Sequence, residues 1–567
     1  MMLKGITKRL DVAAEVFRQT SSIRRRRIRN VWEHIPNITS KTARMEHPSF
    51  SVFSPIAITY ASAGLIVWLT ASLWLRRGRR EASFPPGPRP WPVIGNLNLL
   101  INRLIHQSLH KLSETYGPIM KLKFGSSDVV VISSPEMAKE ILKTHDSSFA
   151  ARPRLAIGKY LLYNSSDILW GNGPHWRQGR KILSVHLFDP TRLESYEYIR
   201  MEERRDFLAR LYDLRGKEVR VMDHLSQINL GIVSRIALGK NYFSGSKPLE
   251  LLEESSSVSH GEMQEMLDES FTLSGVFVVG DWMPWLARLD LGGHVKRMKN
   301  LNQKFDKLFD FIIKEHKMAG NGREKEEKPK DMMDVLLDLV DDPDLEVKLT
   351  TDNVKAFILD FLAGGTDTSA TTLEWAMAEL MKNPDKINKA TEELDRIIGR
   401  ERWVEDEDMP SLPYLDAIIK ETFRLHPPAT LLAPHRAIKD CKINNYDIPK
   451  GTTVFLNVWS IGRNPSAWDS PEEFRPERFL NKAIDMKGQN FELLPFGSGR
   501  RMCLGYSLGL KMVQSTLANM LQGFNWTLPQ ETKPQDLDMD ETYKLSTPRK
   551  HPLVAIVEPR LSAHLYA

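Results

Sequence analysis

Cysteine is the scarcest residue type in this chain: there are two, Cys441 and Cys503, in 567 residues. Two thiols cannot build a disulfide framework, so a small stapled scaffold is excluded and the folded part belongs in a reducing compartment. An excess of one charge is also missing. Lys and Arg number 78 against 72 for Asp and Glu, and the surplus is spread out, so nucleic acid is not an expected partner. Internal repeats are absent, which excludes solenoids.

Long apolar runs are scarce too, with one exception. From Pro48 to Leu75 no residue is charged, and the centre reads IAITYASAGLIVWLTASLWL. Residues 53–75 are long enough for the ~20 residues that cross a bilayer. The run stops at Arg76–Arg80, RRGRR, and a basic cluster after a span marks the cytoplasmic side. The expectation is a single-pass endoplasmic reticulum anchor with a cytosolic body. A cleaved signal peptide fits less well, because the span is too long and lacks a small-x-small cleavage site. Residues 1–44 form a basic, acid-poor extension with RRRRIR at Arg24–Arg29. It reads as a transit peptide or as an overlong start ahead of Met45. The second reading is favoured, because without the extension the orientation rule is unambiguous.

Residues 76–92 read as a basic and proline-rich linker, overlapping the stiff strap FPPGPRPWPVIGN, Phe84–Asn96. Beyond it, strand-like Ile119–Lys123 and Val129–Ser133 flank a turn, and Pro135–His145 is helical. Helical periodicity then dominates from Met201 to Glu315. A charged loop follows at 323–330. Further helices are expected at Asn353–Met381, Asp385–Ile398, Pro413–Leu425 and after Gly505, with short strands near Cys441–Tyr446 and Thr452–Leu456. The fold class is mainly α with a minor β part. Length alone would suggest three or four domains.

Chemistry concentrates in PFGSGRRMCLG, Pro495–Gly505. A lone cysteine is ordinarily a small buried hydrophobe. Cys503, however, sits in a glycine-rich loop just before a helix, where backbone N–H groups and the helix dipole favour a thiolate. Gly497, Gly499 and Gly505 allow close approach to a flat ligand. Arg501 can reach a carboxylate. A thiolate beside a flat acidic ligand suggests a haem and its propionates. A second inconsistency is AGGTDTS, Ala363–Ser369: two adjacent glycines cost ~1 kcal/mol each inside a helix, and polar groups follow in an apolar run. On residues alone this is equally a kink with internal pairing. Glu421 and Arg424 share a helix face in KETFRLHPP, with Arg478 downstream in FRPERF. Trp176 and Arg180 share another face in HWRQGRK.

Phe496-x-x-Gly499-x-Arg501-x-Cys503-x-Gly505 resembles the haem-binding signature of the cytochrome P450 family, with Leu504 where plant members often carry proline or alanine. The resemblance runs from about Phe84 to Pro559, in the family's motif order, which implies one haem-thiolate catalytic domain, 93–560, instead of three or four. It implies haem b as cofactor, Cys503 as its iron ligand, and Trp176, Arg180, His435, Phe496, Arg501 and Gly505 as haem contacts. His435 stands where many relatives have arginine and could titrate. Asp367 and Thr368 take the oxygen-activating relay positions, and Glu421, Arg424 and Arg478 a structural role behind the haem. By the same resemblance the substrate pocket includes Ile358, Phe361, Gly364, Leu431, Leu432 and Leu545.

The finer motifs resemble plant A-type microsomal members near flavonoid 3'-hydroxylases, steroid hydroxylases and homoterpene synthases. The implied activity is insertion of one atom of O2 into an apolar plant metabolite: terpenoid, steroid or phenolic. Electrons come from NADPH through NADPH-cytochrome P450 reductase, with cytochrome b5 as a second donor. Two other readings compete: a thiolate-haem isomerase or lyase, and a non-catalytic haem sensor. The first needs no proton relay, and the second would leave the Asp367–Thr368 groove without a use.

Overall fold

The alternation of Ile119–Phe124 (β1) and Ser127–Ile132 (β2) forms an antiparallel hairpin, turned at Gly125 with φ 54°. β2 runs parallel to Thr453–Leu456 (β4), which pairs antiparallel with His435–Arg436 (β3), giving the order β1-β2-β4-β3. The computed structural model describes residues 83–100, 104–243, 249–250, 257–322, 330–340 and 342–566. The expected membrane segment 53–75, the extension 1–44 and most of the charged run 323–330 lie outside the described residues. Among the described residues, no helix is long and apolar enough to cross a membrane.

Helices dominate the rest. Those that position the site are Gly173–His186 (α1), Val221–Leu238 (α2), His260–Gly275 (α3), Thr351–Lys382 (α4), Pro413–Leu425 (α5) and Tyr506–Gly523 (α6). The 32-residue α4 starts at a capping box, in which Thr350 and Asn353 satisfy each other's end groups. It is buried over most of its length against the apolar faces of α2 and α6. α5 stops where Pro427 and Pro428 forbid another turn. The segment expected as one helix over Pro135–His145 is α-helical only to Lys139. It continues as a wider π turn, Glu140–Thr144. The proline strap packs on β1: Lys121 N donates to Pro86 O at 2.8 Å, and a Cβ at Gly87 would sit 1.9 Å from the Lys121 carbonyl oxygen. Cys441 is half-buried at a strand edge.

Candidate active site

The Cys503 loop holds its shape through backbone geometry. Gly497 and Gly499 adopt φ of 69° and 70°, and a Cβ at Gly499 would come within 2.3 Å of the Leu142 carbonyl oxygen. Gly505 has an ordinary φ of −83°, so conformational freedom does not explain it; its amide instead points at the Cys503 sulfur. Cys503 N donates to Phe496 O at 3.0 Å, closing the loop ahead of α6. The sulfur opens onto an internal cavity of about 350 Å³. Burial pushes its thiol up against the downward pull of the Gly505 amide and the Arg180 charge. A cation at the sulfur would deprotonate it.

Gly364, Gly365 and Thr368 of α4 line the same cavity. The two glycines do different work. A Cβ at Gly364 would meet nothing within 4 Å, so this glycine leaves space in the cavity. A Cβ at Gly365 would fall 2.5 Å from Val233 Cγ1, so this one lets α2 pack on α4. α4 runs through the motif without a break. The Thr368 hydroxyl donates to Gly364 O at 2.7 Å. Asp367, one residue away on the helix, is absent from the cavity wall and turns toward Ser546 and Lys544. Burial pushes its carboxyl up to about 6, and its Oδ2 has no partner among the described residues.

Another part of the cavity carries cations. Arg152, Arg180, Arg501 and His435 line it. Arg501 is held by Ala150 O (2.6 Å) and Gly171 O (2.7 Å), and it lies 3.7 Å over the Trp176 ring. Arg180 donates to Met502 O at 2.9 Å. Arg152 donates to Ala433 O and Pro434 O. None of the three hydrogen-bonds a carboxylate among the described residues. Burial and mutual repulsion lower Arg152 to about 9 and Arg501 to about 8. The buried indole Nε1 of Trp176 has no acceptor among the described residues. Unpaired buried cations beside an orphaned donor are what a dianionic ligand edge would satisfy, so these residues fit haem propionates. His435 donates from Nδ1 to Phe149 O at 2.9 Å in one tautomer. Burial, then Arg152, lower it well below the usual histidine value. Both causes favour its neutral form.

Of the expected pocket residues, Phe361, Gly364, Leu432 and Leu545 line the cavity. Ile358 does not: it is fully buried in the core. Leu431 does not either; it lines a smaller neighbouring cavity with Phe124, Trp282 and Phe455. Glu421, Arg424 and Arg478 do meet. Arg424 grips both Glu421 oxygens (2.7 and 2.8 Å), and Arg478 Nε reaches Oε1 at 3.0 Å, all three buried. Of the charged residues that line the cavity, Arg152 and Asp360 on α4 were not singled out in the sequence.

The sequence pattern described as Cytochrome P450 matches residues 85–555. The chain is 43% identical to a trimethyltridecatetraene synthase of Zea mays, over 89% of this chain and 95% of that one. It is 40% identical to a flavonoid 3'-monooxygenase of Petunia hybrida, over 91% and 99%. Among solved structures, a zebra fish cytochrome P450 determined with abiraterone superposes with a TM-score of 0.67 at 26% identity, covering 80% of this chain and 99% of that one. The helical body, the cavity and these likenesses agree: the chain belongs to the cytochrome P450 family and is a monooxygenase that carries haem b.

Proposed function

We propose that this enzyme is a membrane-anchored monooxygenase of plant specialised metabolism, oxidising an apolar terpenoid, steroid or phenolic with electrons from NADPH through a membrane reductase. The observation that carries this reading is the cavity itself, which joins the Cys503 sulfur to the open shelf at Gly364 and Thr368 within mostly apolar walls. Haem, when bound, supplies the iron at which O2 is reduced and cleaved. Cys503 Sγ is the residue that would hold its iron. Trp176 Nε1, Arg180 and Arg501, joined by Arg152, would hold the propionates, with His435, whose Nδ1 proton goes to Phe149 O, lining the cavity beside them. In this reading the Thr368 hydroxyl, which lines the cavity, hands a proton into it, and the Asp367 carboxyl, pushed up to about 6 by burial, is the neighbouring proton source, although in this structure it turns toward Ser546 and Lys544. Phe361, Leu432 and Leu545 exclude water and orient the substrate. The relatives' names span terpenoid and flavonoid products, and both classes belong in the first trial.

Anchoring through residues 53–75, in the endoplasmic reticulum with a cytosolic body, draws support from one face of the described residues. Trp91 and Trp285 are 64% and 67% exposed. Their segments meet at the β1–β2 turn, where Gly125 N donates to Ile94 O and Ser126 N to Trp282 O. Such an apolar patch suits a lipid interface. Microsomes containing the enzyme and a reductase, given NADPH and a panel of terpenoids, steroids and flavonoids, should give products one oxygen heavier or oxidatively cleaved, seen by mass spectrometry. Equal product without NADPH would overturn the reading.

A further inference from the structure

Asp360 lies on the cavity wall between Phe357 and Phe361 and is the one acidic side chain among the described residues that line it. Its Oδ2 accepts from two backbone amides of the facing loop, Ile168 N at 2.7 Å and Leu169 N at 3.2 Å. Its Oδ1 has no hydrogen-bond partner among the described residues, and no cation offsets its charge. The loop that it grips forms the wall: Ile168, Leu169 and Trp170 all line the cavity. Behind them Asp167 is fully buried, accepts from Trp170 N at 2.8 Å, and leaves Oδ1 unpaired. Burial, then the Asp360 charge, push the Asp167 carboxyl well above the usual carboxylate range. Asp360 itself is pushed up to about 7 by burial, which lets it accept or donate a hydrogen bond.

A carboxyl without a counter-ion, in an apolar ligand cavity, is costly unless something completes it. The backbone clasp uses one oxygen only. We infer that the free Oδ1 of Asp360 is the specificity-determining anchor of the substrate cavity, so that the substrate is an apolar molecule carrying a hydroxyl group away from the carbon that is oxidised. This rests on the monooxygenase reading above and narrows it: unfunctionalised hydrocarbons are poor ligands, and alcohols or phenols good ones. A site built to bond a hydroxyl rejects the analogue that lacks it far more sharply than an apolar wall rejects one methylene.

The test is binding, read from the substrate-induced change in the haem absorption of the oxidised holoenzyme. The probes are matched pairs: a sesquiterpene alcohol with its deoxygenated hydrocarbon, and a hydroxyflavone with its O-methyl ether. The wild type should bind the hydroxylated member of at least one pair roughly ten- to a hundredfold more tightly, the range of a hydrogen bond to a charged group. Asp360→Leu should bring that ratio near one while weakening the hydrocarbon or ether little. Asp360→Asn keeps an acceptor for the Ile168 and Leu169 amides and should leave an intermediate ratio. If Asp360 merely clasps the loop, Asp360→Leu weakens both members equally, and the inference falls. It falls also if the wild type does not distinguish either pair. Turnover of the same compounds with NADPH is scored separately, so a failed monooxygenase reading shows as binding without product.

Discussion

Two clusters of arginine lie inside this molecule, and they differ in how their charge is met. Around Glu421, Arg424 and Arg478 find a carboxylate and a shell of carbonyl oxygens from Gly462, Asp469, Pro471 and Glu473. Around the cavity, Arg152, Arg180 and Arg501 find carbonyls but no carboxylate within hydrogen-bond length, and they repel one another. The first cluster is complete within the chain and ties α5 to the loop 462–478. The second is complete only with an anion from outside. Buried cations thus mark a scaffold where the protein supplies the acid, and a ligand site where it does not.

The largest effect expected is at the Cys503 sulfur. Cys503→Ser should abolish the red-shifted absorbance band of the reduced carbon-monoxide complex, because sulfur ligation tunes the iron; a serine variant that keeps the band would refute the ligand assignment. Breaking each cluster sharpens the contrast. Glu421→Gln leaves two buried guanidinium groups short of a counter-ion and should cost about 3–5 kcal/mol of stability, seen as a lowered melting temperature whether or not haem is present. Trp176→Phe removes the orphaned indole donor and part of the buried ring beneath Arg501. It should lower the melting of the haem-free protein much less than Glu421→Gln does and weaken haem retention several-fold. Equal effects of the two substitutions on haem-free stability would erase the distinction.

The closed cluster was legible in the sequence only in part. The spacing of Glu421 and Arg424 gave the shared helix face, but on spacing alone an exposed pair was the ordinary reading. The burial comes from packing against a loop some fifty residues downstream. The Cys503 loop was legible because glycines at 497 and 499 are forced by backbone geometry, which local sequence records. Arg152 was not, since its acceptors at Ala433 and Pro434 lie 281 and 282 residues away and nothing in AARPRLA hints at them. Asp360 could have been found by the logic that flagged Ala363–Ser369: it is an acid within an apolar helical run. Ile358 was misplaced because an apolar residue on α4 suits the core and the cavity equally, and only the helix's rotation decides. Sequence alone does not tell Gly364 from Gly365; packing does, since Val233 accounts for Gly365.

The Asp367–Thr368 pair offers a smaller, pH-dependent effect. Thr368→Ala should keep haem yet release reducing equivalents as peroxide, losing ~10²-fold or more in product formation, as removal of a proton-transfer group does. Asp367 adds a sign that can be checked. Its carboxyl is raised from 3.8 to about 6 by burial, so its ionised form costs stability: that cost is absent below pH 3.8 and complete once pH exceeds about 6. Asp367→Asn should therefore raise the melting temperature at pH 8 and leave it unchanged near pH 3.5, while abolishing an inflection near pH 6 in product formed per NADPH. A variant that melts like the wild type at pH 8 would mean that the ionised carboxyl is already compensated.

The smallest effect expected lies on the surface, where the question of who completes a charge recurs. Arg177 and Lys181 are exposed and four residues apart on α1, the helix that also carries Trp176 and Arg180. Arg500 is exposed on the Cys503 loop, yet Asp146 pairs with it at 3.1 Å. A basic face toward an acidic reductase would use such residues, but the structure separates the three: Arg500 is already partly neutralised within the chain, whereas the described contacts give Arg177 and Lys181 no acid partner. Steering by such charges acts on association and is screened within about a Debye length. Lys181→Glu should thus slow reduction by the reductase several-fold at low ionic strength, with the difference closing as salt rises, and should leave the substrate-binding spectrum in place. Arg500→Ala should slow it less, because removing that charge also frees Asp146 and changes the net field little. Stopped-flow reduction across a salt series resolves the order. Identical salt dependence for wild type and Lys181→Glu would remove this helix face from the docking surface.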